Sequence, residues 1–253
     1  MQRARRLFCG LCAVVLWALM MPTQLSAQEY IVPDEEEILS RTVDVDSPYY
    51  LERLLGKFFA YDEPLTDEEF FYLYYGYAYS EHYRPLDPIA AEDRVLAAVE
   101  KIMGEPTEEL MRELVAAASE VMERDPFSPK NLNLLAFAYG SLGDRENERK
   151  CFERMEGVLR TIERSGSGRR EGSPMHVLMF THASDLLYSK GLEIKAREII
   201  SRTCEYIFLT EREADGNIGY YFDFSRIYMV RPENQTEMET QKRGWTINNM
   251  PLK

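Results

Sequence analysis

Apolar residues recur every three to four positions through most of the first two thirds of the chain, and then give way to short runs rich in aromatic and β-branched residues. Ser47-Pro48 reads as a helix cap with proline in the first turn, followed by Leu51, Leu54, Leu55, Phe58 and Phe59 at helical spacing. Thr66-Asp67-Glu68-Glu69 is a capping box, in which threonine and the glutamate three residues on satisfy each other's free amides, and it predicts a helix over 67–80. Pro85 and Pro88 end that helix and a new one runs over 89–103, until Gly104 and Pro106 break the chain. Thr107 caps a helix to about 124, Ser128 and Pro129 start another over 130–142, and Gly143 separates it from the helix over 144–164. Connections this short predict antiparallel neighbours.

The segment over 165–174 is a loop rich in Gly and Ser, and 176–181 predicts a short strand. Residues 196–211 and 218–230 are rich in Ile, Tyr, Phe and Thr, and Asp215-Gly216 between them signals a hairpin. The expected organisation is a polar lead-in over 28–46, a helical-repeat-like region over 47–164, a small α/β or β-rich region over 165–230 and a flexible tail over 231–253. The fold class is therefore α+β and mainly α, an antiparallel helical part followed by a small antiparallel hairpin or sheet.

Residues 1–27 carry Arg3, Arg5 and Arg6, an apolar run over 7–21 and then Leu25-Ser26-Ala27, the layout of a secretory signal peptide cleaved near Gln28. A membrane span needs about 20 apolar residues, and this run is shorter and followed by Pro22. The expected location is periplasmic or secreted, with no stable membrane insertion after cleavage. The chain has 43 acidic against 30 basic residues, a formal charge of −13 that loss of the leader arginines makes more negative, so nucleic acid is a poor partner. After cleavage only Cys151 and Cys204 remain. In an oxidising compartment they either form one disulfide or stay as two buried thiols, and sequence alone leaves both open.

Little else in the sequence points to chemistry. His82, His176 and His182 stand in no metal-binding spacing, and two cysteines are too few for a zinc cage. Neither cysteine has a nucleophile signature around it. The Gly-rich loop over 165–172 precedes a predicted strand, whereas a phosphate cradle opens a helix. Glu68, Glu69, Glu108 and Glu109 fall in first helical turns, where the helix dipole accounts for them. No catalytic residue, metal or cofactor is assigned.

Two resemblances follow from quoted residues. Leu114, Ala118 and Val121 before Asp125-Pro126, then Leu132, Leu135, Ala136 and Tyr139 before Gly143-Asp144, resemble a tetratricopeptide-repeat helix pair, with Glu148 where that repeat prefers alanine. The same spacing recurs sixty residues earlier at Tyr72, Tyr75, Gly76 and Tyr79, inside a stretch, FFYLYYGYAY from Phe70, in which seven of ten residues are aromatic. If the two matching helices line one wall, Phe70, Leu73, Tyr77, Asn133 and Phe137 face a binding groove, while Tyr72, Tyr75 and Tyr79 pack around Gly76; burial of the same five in the core is the competing expectation. The stretches SPYYLERLL from Ser47, LTDEEFFYLYYGYAY from Leu65, SGSG from Ser165 and YYFDFS from Tyr220 resemble a family of secreted bacterial proteins known as domain of unknown function 4919. His182-Ala183-Ser184-Asp185 departs from that family's pattern. The resemblance implies compartment and fold order but no activity. The expected function is a non-catalytic interaction module for a protein, peptide or glycan of the cell envelope, and the alternative is a hydrolase of envelope or dietary polymers.

Overall fold

The helix caps written in the sequence set most of the element boundaries. The computed structural model describes residues 30–229, so the expected leader and tail lie outside the described residues. Helix α1 (Glu35–Val43) starts where the Asp34 carboxylate accepts from the Glu37 amide, so the polar lead-in is largely helical. Before α2 (Leu51–Ala60), Ser47 does not cap the helix; its hydroxyl accepts from the Tyr49 amide and its carbonyl from Tyr50, forming a turn. The Thr66–Glu69 box opens α3 (Asp67–Gly76), which tightens into a 3₁₀ turn at Tyr77–Tyr79. Helices α4 (Ala91–Gly104), α5 (Glu108–Met122), α6 (Pro129–Ser141) and α7 (Arg145–Arg164) follow, the last three capped by Thr107, Ser128 and Asp144.

The C-terminal part holds β1 (Met175–His176), α8 (Phe180–Ser189), β2 (Ile194–Ile199), β3 (Cys204–Leu209), β4 (Gly219–Asp223) and α9 (Ser225–Met229). The strand expected over 176–181 shrinks to two residues and a helix follows, because His182, Ala183, Leu186 and Leu187 place one buried face at helical spacing. The run over 196–211 divides into β2 and β3, and the expected hairpin joins β3 to β4 with Gly216 at φ +90. Strand order is β1-β4-β3-β2. The sheet is mixed and not purely antiparallel, since β1 lies parallel to β4. Lys195, Arg197 and Glu198 on edge strand β2 leave a charged rim that disfavours pairing with another chain.

Two apolar clusters form the interior. One joins α1, α2, α3, the second half of α7, the sheet, α8 and α9; the other joins α4, α5, α6 and the start of α7. The aromatic helix is thus a central helix buried on nearly every side. It carries tyrosines where phenylalanine would pack equally well because their hydroxyls find partners: Tyr72 donates to Glu37, Tyr75 to the His176 carbonyl at 3.1 Å, and nearby Tyr83 to the Leu178 carbonyl at 2.7 Å. Gly76 is a close-approach position, since a Cβ there would stand 2.6 Å from the Thr42 methyl of α1. The Phe70 ring lies on Gly157 of α7, whose absent Cβ would sit 2.2 Å from it. Gly140 of α6 likewise makes room for the Glu148 carboxylate. Buried Arg226 of α9 stacks over the Tyr75 ring and donates to the Pro33 carbonyl, tying the two ends of the described chain together.

Candidate binding cleft

The five groove candidates separate. Phe70, Leu73 and Tyr77 lie in the first cluster, with Tyr77 only 5% exposed, whereas Phe137 is 51% exposed and Asn133 is exposed on α6. The shared wall does not form because α3 and α6 belong to different clusters: α3 packs on α1, α2 and α7, while α6 packs on α5, α7 and α8. Tyr72 and Tyr75 are core, as the sequence suggests, and Tyr79 is partly buried.

Asn133 lines a cleft of about 500 Å³ between α6, α7 and α8, with Lys130, Leu134, Met155, Asp185 and Tyr188 around it. It also borders a neighbouring depression of about 470 Å³ that holds Phe137, Phe152, Arg145 and Arg149. One face of α6 therefore carries an amide between two hollows, with Phe137 beside it and with Phe152 of α7 and Tyr188 of α8 exposed in the hollows' walls. Sequence reasoning missed Asp185 and Tyr188 because α8 was not recognised as a helix. The spacing of His182, Asp185, Leu186 and Ser189 is the signal that would have found them.

The cleft's charges are unevenly matched. Lys130 turns its ammonium to Glu92 of α4, and its backbone amide, at 3.3 Å, donates to Oδ2 of Asp185. Burial raises the Asp185 carboxyl above the usual range; the His182 ring and Lys130 oppose that rise, and Asp125 adds to it.

Behind the cleft lies a sealed polar chain. His182 is 0% exposed and Asp125 5%; His182 Nε2 stands 3.2 Å from each Asp125 oxygen, and its Nδ1 stands 2.8 Å from the Tyr74 hydroxyl. The Leu178 amide donates to that hydroxyl. A neutral ring with its proton on Nε2 satisfies every partner: Nε2–H donates to Asp125, Tyr74 donates to Nδ1, and Tyr74 accepts from Leu178. These side chains are sealed from solvent, and their hydrogen bonds fasten α3, the α5–α6 connection and α8 together.

The remaining chemistry is structural. Cys151 and Cys204 are free and buried, the first within the α4–α7 cluster and the second at the start of β3, so the disulfide alternative is set aside. Strand register puts His176, Asp223 and Cys204 in one row, but the carboxylate sits between imidazole and thiol. Burial and then Asp223, Glu171 and Glu205 push the Cys204 thiol up to about 11, the reverse of what a nucleophile needs. The amides of Ser167, Gly168 and Arg169 donate to the Ser173 hydroxyl, the Ser173 carbonyl and the Ser167 hydroxyl, so the Gly-rich loop offers no phosphate cradle. A further cleft of about 570 Å³ at the first turn of α3 is lined by Glu37, Asp67 and Glu68; Glu37 is engaged with Tyr72 and Asp67 with Arg160 and Arg164. Among the described residues no group of three or more His, Cys, Asp or Glu is arranged to hold a metal ion.

Asp223 gives a pH dependence. Burial alone would raise its carboxyl, yet the His176 ring, 3.4 Å away, and the hydroxyl and amide of Ser225 outweigh it and depress the carboxyl to about 2. A carboxyl depressed on folding stabilises the fold above its ordinary value, and that contribution fades as pH falls from about 4 to 2. After allowance for solvent screening it is worth about 1 to 2 kcal/mol. Urea unfolding between pH 5 and 2 should show this loss in the wild type and a shallower slope in Asp223→Asn; parallel slopes would remove the assignment.

Residues 36–231 match the family model described as Domain of unknown function (DUF4919). No curated protein and no solved structure matches the chain. No helix among the described residues is long and apolar enough to cross a membrane.

Proposed function

The chain belongs to the DUF4919 family, and from that premise we propose a non-catalytic, extracytoplasmic interaction protein that holds an extended peptide segment of another protein across α6, α7 and α8. The observation that carries this is the exposed face of α6, where Asn133 separates two hollows and is flanked by Phe137 and Tyr188. The opposite face, with Asn131, Leu132, Leu135, Ala136 and Ala138, is fixed in the interior, so the exposed groups are presented on a rigid element. An asparagine amide donates to and accepts from one peptide unit at once, and the flanking rings offer large contact area at low entropy cost. The leader pattern in residues 1–27 supports action outside the cytoplasm. This cleft favours the interaction reading over glycoside hydrolysis, because Asp185 is its one lining carboxylate and glycoside hydrolysis uses two.

A random peptide library displayed on phage and panned on the purified protein tests the reading. Enriched peptides should bind in solution, and Phe137→Ala and Asn133→Ala should each weaken them about tenfold or more. Failure to enrich, or affinity indifferent to both substitutions, overturns it; selective binding on a glycan array instead would transfer the face to sugars.

A further inference from the structure

The cleft holds one unevenly matched charge, and that mismatch specifies a ligand. Asp185 projects from α8 into a hollow whose nearest lysine, Lys130, commits its ammonium to Glu92. One Asp185 oxygen accepts from the Lys130 amide, and the other has no hydrogen bond among the described residues. The groups that face Asp185 from packed elements are the His182 ring, the Asp125 carboxylate and the Lys130 side chain, and among the described residues no cationic side chain forms an ion pair with Asp185 itself. Leu134 and Met155 supply apolar walls, and Tyr188, largely exposed, supplies a ring face at the mouth.

We propose that this cleft is a subsite for a primary ammonium on an alkyl stem, the chemistry of a lysine side chain. The ammonium donates to the free oxygen of Asp185, the methylenes lie along Leu134 and Met155, and the Tyr188 ring adds a cation–π contact. A guanidinium is less well matched, because its paired donors would have to share Oδ2 with the Lys130 amide, whereas an ammonium needs only the other oxygen. The proposal deepens the peptide reading by naming the anchor side chain, and it rests on that reading for its biological sense, but the test below does not require a peptide.

Butylammonium chloride is titrated into the full chain carrying methyl-labelled methionine, with butanol as the uncharged isostere. The Met155 methyl resonance should move with half-saturation on the order of millimolar, the range open to so small a ligand. Butanol and the Asp185→Asn variant should each require about tenfold more ligand or fail to saturate, the loss expected when a charge-assisted hydrogen bond is removed. Tyr188→Ala, at an exposed position that leaves the core intact, should weaken butylammonium about threefold and leave butanol unchanged. A motionless Met155 resonance, or equal responses to butylammonium and butanol, would overturn the proposal whether or not Asp185→Asn folds. Saturable amine binding without any peptide enrichment would leave this subsite standing and remove the peptide reading. Peptide binding that depends on Phe137, with no amine response, would do the opposite.

Discussion

His182→Ala is expected to lower the unfolding free energy by about 3 to 5 kcal/mol, a large part of the 5 to 15 kcal/mol that holds most domains. The imidazole is the hydrogen-bonding partner of both Asp125 oxygens and of the Tyr74 hydroxyl. Its removal strands a carboxylate that water scarcely reaches and leaves the Tyr74 proton without an acceptor, so the cost comes from uncompensated desolvation more than from lost packing. Tyr74→Phe removes only a hydroxyl and should cost about 1 to 2 kcal/mol, because Nδ1 of His182 and the Leu178 amide each lose one bond. Asp125→Ala combined with His182→Ala should cost clearly less than the two single losses added, the signature of a coupled pair. Urea denaturation at neutral pH reads the four variants against wild type, and a His182→Ala variant within about 1 kcal/mol of wild type would mean that the pair is not sealed as described.

Gly166→Ala should be the most damaging glycine-to-alanine change among the described residues, at about 3 kcal/mol. The added Cβ would stand 1.9 Å from the Pro174 carbonyl oxygen, and both partners are backbone, so no side-chain rotation relieves the overlap. The loop between them is also closed by the Gly168–Ser173 and Ser167–Ser173 bonds, and Gly168 accepts from the Tyr221 amide of β4. Moving Pro174 therefore disturbs the sheet edge as well. Gly172, which has nothing within 4 Å of its Cβ direction, is the matched control. The thermal midpoint should fall by about 6 to 12 °C for Gly166→Ala and stay near wild type for Gly172→Ala, given the scaling for a chain of this size. Equal midpoints would show that the loop ends do not touch.

Local chemistry was the legible part of this sequence. The Thr66–Glu69 box, the Ser128-Pro129 start, the Thr107 cap and the Asp215-Gly216 turn all act through atoms a few residues apart, and each stands where it was expected. Helix α8 was missed because it is short and carries His182 and Asp185 among its apolar residues, so that its periodicity looks broken until the partners of those two groups are seen. Assigning faces to α3 failed for another reason. A helix buried nearly all round has no polar face against which to read a direction, so Phe70, Leu73 and Tyr77 were placed at a surface that does not exist. Asn133 and Phe137 sit on a helix with one buried and one exposed side, so the pattern there does give a direction, and both side chains are exposed.

The long-range partners of the aromatic helix bear on how the protein is made. Tyr74, Tyr75 and Tyr83 find His182, His176 and Leu178 roughly a hundred positions further on, and Pro33 is gripped by Arg226, 193 positions away. During synthesis from the ribosome, α3 emerges long before any of these partners, so it waits as an aromatic segment with exposed apolar surface. The helices α4, α5 and α6 make their contacts with near neighbours and can pair as they appear, but the first cluster closes only when β4 and α9 have arrived. A nascent chain halted before residue 226 is thus an aggregation hazard, and a holdase that shields the stretch from Phe70 to Tyr79 would act at the point of greatest exposure.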